Sequence, residues 1–316
     1  MQYLWGEIQM KKVISLVVTS ALIGAWGIAV APSVTADVPP SVAIIDTGVN
    51  TALFSNSIVD EVCILEYSLC PNGKSFMDGV GAANTGIQTA MTLTHGNEMA
   101  SVITKVNPTI KIIPIRIVGI TALGNPYLYS NNAVKLGLDW VLANHVKYNI
   151  QAVNVSQGKI FAGCALPTGA QGDIDALKAA NVAVIAATGN DSNRTAEMSI
   201  ACAPGVIAIG ATDNPDPGMN SKSYDPTAKP YIARYSNGDA ATDFYLNGRW
   251  YALQPNGKQK FTVGTSVATA AFTGWFTLNY KGSIASTYQY LVGTATTASN
   301  EWLSGRYLFV PSNLLG

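Results

Sequence analysis

Histidine is scarce in this sequence: His95 and His145 are the only two among 316 residues. Any chemistry that moves a proton through an imidazole must use one of them. Charge is scarce too, at 12%, and Lys plus Arg balance Asp plus Glu at 19 each. With no net charge and no dense basic run, the chain lacks the electrostatic footprint of a nucleic-acid binder. Paired Cys-x-x-Cys spacings are missing, so no thiolate metal site is expected, and no other metal or cofactor is called for. The apolar share of 48% nevertheless suits a globular core rather than a disordered chain.

One long apolar run does occur, from Val13 to about Ala31, after Lys11 and Lys12. Val34-Thr35-Ala36 follows as a small-residue cleavage site, the pattern of an export signal. A retained anchor is the competing reading, because the run is nearly long enough to span a bilayer. Gly24, Gly27 and the cleavage site favour removal, which gives a signal peptide over 1–36, a single domain over 37–316, and no stable membrane association. The four cysteines agree with an exported, oxidised protein. Cys63 with Cys70 and Cys164 with Cys202 is the preferred pairing, although four cysteines permit three connectivities.

Past the signal, short β-branched runs alternate with helical patterns. Ser41 to Ile45, Ile112 to Ile117, Ala152 to Val155, Val182 to Ala186 and Val206 to Ile209 read as buried strands. His95 to Val106, Asn132 to His145 and Ile174 to Ala180 read as helices, with Val134, Leu138, Val141 and Leu142 forming an apolar stripe. That alternation predicts an α/β three-layer sandwich with a mostly parallel central sheet and ligands at the carboxyl ends of its strands. From Asn214 to about Lys260 helical periodicity gives way to Gly, Pro, Asn and Tyr, and short strands with turns are expected. A further helix begins near Ser266 and runs towards Leu278.

Three segments place a reactive residue at the end of an element. Ile44-Ile45-Asp46-Thr47-Gly48 delivers a carboxylate from a strand into a glycine turn. Thr94-His95-Gly96 opens a helix, and Gly264-Thr265-Ser266-Val267-Ala268 sets a serine at a helix N-terminus. Asp, His and Ser are the requirements for acyl transfer: a serine hydroxyl needs a base, and the base needs a carboxylate to fix its tautomer. Each alone has a plainer use, as a turn residue, a helix start or an N-cap. A lone Asp-Thr-Gly also marks aspartic proteases, but no second copy occurs and the α/β alternation opposes their all-β architecture.

Taken in order, the three segments resemble those of the subtilisin-like serine proteases, whose triad runs Asp, His, Ser. Val184-Ile185-Ala186-Ala187-Thr188-Gly189-Asn190 is similar to the strand and turn carrying that family's oxyanion asparagine. Asn154-Val155-Ser156-Gln157-Gly158, after Asp139-Trp140-Val141, is similar to one wall of its primary specificity pocket. Ala203 to Ala211 is a further similar stretch, and the likeness runs from about Val42 to about Asn279. The resemblance implies a subtilisin-like fold and a secreted endopeptidase acting on protein or peptide substrates. It implies Ser266 as nucleophile, His95 as general base and then acid, Asp46 as orienting carboxylate, and Asn190 with the Ser266 N–H as oxyanion donors. It also implies that Ser156, Gln157, Gly158 and Gly189 flank the substrate side chain. Leu123 to Asn125, centred on Gly124, would pair with substrate backbone by strand addition.

The chain departs from the family pattern in four places. Glu98 stands where a second histidine is usual, and a local packing or electrostatic change is expected there. Ala268-Thr269-Ala270-Ala271 replaces a common proline, which should leave the chemistry intact. Ser55 and Asn56 stand where a calcium-binding aspartate is usual, so that calcium site is not expected. Only about ten residues separate Ala36 from Asp46, too few for a folding propeptide, which leaves room for a separate folding helper or inhibitor. Two competing functions follow: a binding module on the same fold that no longer cleaves, or a small-molecule esterase or amidase. Gly158 and Gly189 without a nearby carboxylate predict a roomy pocket for an apolar or aromatic side chain. His145, on the apolar side of its helix, reads as structural.

Overall fold

A computed structural model describes residues 38–66, 68–86, 93–119, 131–160, 164–213 and 230–310. The export signal expected over 1–36 lies outside them. The elements run β1 (Ser41–Asp46), β2 (Val62–Ile64), β3 (Phe76–Asp78), α1 (His95–Val106), β4 (Lys111–Arg116), α2 (Asn131–Asn144) and β5 (Ile150–Val155). They continue with α3 (Ala170–Ala179), β6 (Ala183–Ala187), β7 (Ile207–Asp213), β8 (Tyr231–Ile232), β9 (Phe244–Asn247), β10 (Arg249–Leu253) and β11 (Gln259–Val263). The last are α4 (Thr265–Leu278), α5 (Ile284–Thr294), β12 (Thr296–Ser299) and β13 (Ser304–Tyr307).

The heart of the sheet has the order β2-β4-β1-β5-β6-β7, with parallel neighbours throughout. β1 lies in the middle, and every residue of Ser-Val-Ala-Ile-Ile-Asp is buried. A strand covered on both faces must be apolar on both, and its side chains divide by the two-residue period. Val42 and Ile44 join a core with Met99, Val102 and Ile103 of α1 and Phe272 and Phe276 of α4. Ala43 and Ile45 face the other way, onto Val134, Leu138 and Val141 of α2 and Ile174 and Leu177 of α3. These two layers on one sheet are the expected three-layer arrangement.

α4 is the most enclosed helix, with eleven of its residues buried, several of them threonine. A buried hydroxyl must find an acceptor, and these find one in their own helix. Thr269, Thr273 and Thr277 each donate to the carbonyl four residues back, at 2.8, 2.9 and 3.0 Å. Thr273 also bonds Asn154 Oδ1 at 3.0 Å, tying α4 to the end of β5. Gly274 lets α1 approach closely: a Cβ there would lie 2.8 Å from both Ile103 O and Val106 Cβ.

The predicted strands and helices appear with boundaries shifted by a few residues, the largest shifts being the start of α3 at Ala170 rather than Ile174 and the end of β7 at Asp213 rather than Ile209. The expected irregular region contains β8 to β11, with 214–229 outside the described residues; β10 and β11 form a separate antiparallel pair. The short β2 and β3 and the C-terminal α5, β12 and β13 carry no sequence pattern strong enough to announce them. Ser283 caps α5, its hydroxyl accepting from Ser286 N at 3.1 Å.

Both preferred cysteine pairs are bonded. Cys63–Cys70 closes a seven-residue separation at the sheet edge, and Cys164–Cys202 one of 38 residues. Chain-entropy arithmetic gives about 4 kcal/mol for the longer loop and about 2 kcal/mol for the shorter. Replacing Cys164 and Cys202 together by alanine is therefore expected to lower stability more than replacing Cys63 and Cys70. Denaturant unfolding of both double variants checks this, and a larger loss at Cys63 and Cys70 would contradict it.

Candidate active site

β1 ends at the carboxyl edge of the sheet, and its last residue, Asp46, is 1% exposed. A carboxylate buried this far requires donors to offset lost hydration. Three surround it: Thr47 N at 2.7 Å and Gln157 Nε2 at 3.0 Å on Oδ1, and His95 Nδ1 at 2.9 Å from each oxygen. Donation through Nδ1 leaves Nε2 of a neutral imidazole with a lone pair.

His95 is the first residue of α1, and two glycines allow that helix end to reach the β1 turn. Gly48 has φ +86°, and a Cβ there would strike Ala83 O. At Gly96 a Cβ would collide with Gly48 O and stand 3.1 Å from Thr47 Oγ1, which instead accepts from Gly96 N at 2.8 Å. A side chain at Gly96 would push the start of α1 away from the β1 turn, and with it His95 from Asp46.

Burial pushes the His95 imidazolium down, but the Asp46 charge, the bond to it and the charge of Glu98 together hold its pKa above the usual histidine value. Glu98 is the residue where a change in packing or electrostatics was expected. It is 3% exposed, and its Oε1 accepts from Thr94 Oγ1 at 3.1 Å and Gln254 Nε2 at 2.7 Å.

Ser266 occupies the first turn of α4 after Gly264, whose φ of +152° favours glycine. Its hydroxyl is half-buried and donates to Ser156 O at 3.4 Å, a long bond that rotation about χ1 breaks at little cost. Among the described residues no hydrogen bond joins Ser266 Oγ to His95. Ser156 Oγ in turn donates to Ser266 O at 3.3 Å and accepts from Asn154 Nδ2 at 3.1 Å, locking the β5 turn to the helix start. Asn190 sits exposed beyond β6, with Oδ1 accepting from Thr265 N at 2.9 Å and Thr265 Oγ1 at 3.1 Å. Among the described residues nothing accepts from its Nδ2, which is left as a donor beside the helix N-terminus.

One functional residue carries no sequence signal beyond membership of a turn: Asn237, fully buried. Its Oδ1 accepts from Asp191 N and Asn193 N, both at 2.9 Å, and its Nδ2 donates to Thr188 O at 3.1 Å and Asp191 Oδ2 at 3.0 Å. Thus a residue far away in sequence shapes the loop that presents Asn190.

Gln157 turns its side chain to Asp46 rather than to a substrate pocket, because the buried carboxylate offers the stronger acceptor. Gly158 and Gly189 are both closely approached on the side where a Cβ would stand. A Cβ on Gly158 would meet Ser199 O and stand 3.2 Å from Met198 Cβ, and one on Gly189 would strike Asn237 Nδ2 and lie 2.6 Å from Met198 Cγ. The 198–199 segment is held there by Met198 N to Thr188 O at 2.8 Å and Ser199 N to Lys159 O at 3.0 Å. Gly124, with the rest of 123–125, lies outside the described residues. His145 falls one residue past α2, with Nδ1 on Leu142 O at 2.8 Å.

A model of the subtilase family matches residues 39–307. An extracellular serine proteinase of Thermus sp. (strain Rt41A) is 30% identical over 206 residues, which are 61% of this chain and 42% of that protein. The match thus spans less than half the length of that curated relative. A crystal structure of a cold adapted subtilisin-like serine proteinase is 20% identical, with a TM-score of 0.60 over 85% of this chain and 88% of the other. The prenylagaramide maturation protease PagA is 22% identical, with a TM-score of 0.57 over 81% and 84%. At these identities the two structures establish the shared fold.

Because Glu98 adds to the negative charge around His95, Glu98→Gln is expected to lower the His95 titration midpoint. Ring NMR on the resting protein reads this directly, with His145 as internal reference; an unmoved His95 midpoint would remove Glu98 from the electrostatics of the site.

Proposed function

The chain belongs to the subtilase family, and on that premise we propose that it is a secreted serine endopeptidase with Asp46, His95 and Ser266 as its triad. The observation that carries the reading is the Asp46–His95 pair at 2.9 Å, set at the sheet's carboxyl edge beside the Ser266 helix start. Burial of Asp46 keeps its bond to Nδ1 out of water, so Nε2 is the free basic nitrogen. When a peptide binds, Ser266 Oγ leaves Ser156 O and turns to Nε2, which takes its proton as Oγ bonds the substrate carbonyl carbon.

Negative charge then develops on the carbonyl oxygen. Asn190 Nδ2 and Ser266 N are the donors assigned to that oxygen in this reading, and the dipole of α4 has its positive end at Ser266. Asn190 is already oriented through Oδ1 on Thr265, so little reorganisation is required during reaction. The protonated imidazole next gives its proton to the leaving amine, and the C–N bond breaks. Water, deprotonated by the same nitrogen, hydrolyses the acyl-enzyme and restores Ser266.

Export is part of the reading. The basic-apolar N-terminal segment and the two disulfides fit an oxidising compartment, and a relative is named as extracellular. Among the described residues no helix is long and apolar enough to cross a membrane.

Ser266→Ala should abolish cleavage of unfolded protein and labelling by a serine-directed phosphonate. Asn190→Ala should fold normally and lose ~10²- to 10³-fold in kcat, the range known for oxyanion donors, subtilisin's included. Equal turnover by wild type and Ser266→Ala defeats the proposal. A wild type that binds a partner protein without labelling points to the binding module, and ester turnover without peptide turnover points to the esterase.

Met198 against Gly158 and Gly189 predicts preference for a small side chain before the cleaved bond. Met198→Ala should raise kcat/KM for large apolar side chains about tenfold or more relative to alanine, given what a few methylenes are worth in a pocket. Mass spectrometry of peptides cut from a denatured protein mixture reads both preferences; identical profiles would place the side chain elsewhere.

A further inference from the structure

Gln157 has no partner role in the reaction just described, yet its side chain reaches the centre of the site. Its Nε2 stands 3.0 Å from Asp46 Oδ1 and 3.0 Å from His95 Nδ1. The amide orientation follows from charge: reversed, it would set a carbonyl oxygen against the carboxylate. His95 Nδ1–H is committed to Asp46, so the amide's approach to that nitrogen is an edge contact and limits the tilt of the ring.

We infer that Gln157 is a positioning residue of the Asp46–His95 pair, holding the carboxylate in place and offsetting the negative charge that surrounds the imidazole. The charges facing His95 explain the need. Asp46 faces it from β1 and Glu98 from its own helix, both negative. Arg116, at the end of β4, packs its stem near Gly48 but turns Nε to Val118 O at 3.1 Å. α4 carries no ionisable side chain. Gln157, arriving from the end of β5, therefore brings a dipole whose positive end meets Asp46 without adding a third charge.

The sign follows from what the amide does. By donating to Oδ1 it draws charge away from the contact with imidazolium, so removing it favours the protonated ring. A carboxylate in its place favours that ring much more. A merely structural Gln157 would alter stability without moving the His95 titration.

The experiment compares wild type, Gln157→Leu and Gln157→Glu by NMR titration of the two histidine rings, followed by the pH profile of kcat/KM on a peptide substrate. Gln157→Glu is expected to raise the His95 midpoint by on the order of one pH unit or more, through a like charge added to the Asp46 site. Gln157→Leu is expected to raise it by less and to cut kcat about tenfold with KM nearly constant, since the ring is less well oriented. His145 serves as the second ring in each spectrum, and chemical-shift dispersion reports that all three proteins are folded. His95 midpoints equal to wild type in both variants would overturn the inference, and so would a fall in either one. The kinetic part rests on the peptidase reading, whereas the titration does not. If the midpoints move and no protein cleaves peptide, the positioning role stands and the peptidase reading fails.

Discussion

A carboxylate buried at the end of the central strand is the constraint on which the rest of the site depends. Asp46 is 1% exposed, and an unpaired charge at that depth would cost several kcal/mol. Its backbone position is set by β4, where Asp46 pairs with Arg116, and by β5, which pairs with the strand as far as Ile45. Its side chain is satisfied by donors from three places: its own turn, the start of α1 and the end of β5. Moving any of these elements strands the charge. The same donors therefore bind the elements together and orient the imidazole.

The helices supply what the strand ends cannot. α1 and α4, whose first turns bear His95 and Ser266, share the core beneath one face of the sheet and touch closely where Gly274 meets Ile103 and Val106. The threonine ladder lets α4 be buried with its hydroxyls paired, and the Thr273–Asn154 bond fixes it against β5. The opposite layer, built on α2 and α3, contributes no reactive group and serves to bury the second face of β1, β5 and β6. Fold stability and site geometry are thus separated by face, although one sheet carries both.

Much of this was legible before any coordinates. Ile44-Ile45-Asp46 reads as a buried strand because β-branched residues on both faces have few other uses, and Gly48 marks the turn that follows it. Cysteine pairing was legible as a preference, since Cys63 and Cys70 lie close in sequence. Less was legible around the substrate. A glycine records that something comes close, not what comes close; at Gly158 it is Ser199 O, at Gly189 it is Asn237 Nδ2, and Met198 lies next to each. Gln157 sits in a pocket-like motif, but its long side chain has several acceptors within reach, and the buried charge of Asp46 wins. Asn237 organises the Asn190 loop through four hydrogen bonds from 47 positions away in sequence, a relation with no local pattern.

What the sequence alone determined is the alternating architecture and the short list of reactive residues. Hydrophobic period and turn chemistry are local, and two histidines leave little choice of base. What only the tertiary structure decided is how polar side chains from separate elements share partners. Competition among acceptors is a three-dimensional matter, settled by which oxygen is buried, charged and within 3 Å. That competition draws Gln157 to Asp46, while Asn190 is anchored by Thr265 and Ser266 rests on the neutral carbonyl of Ser156.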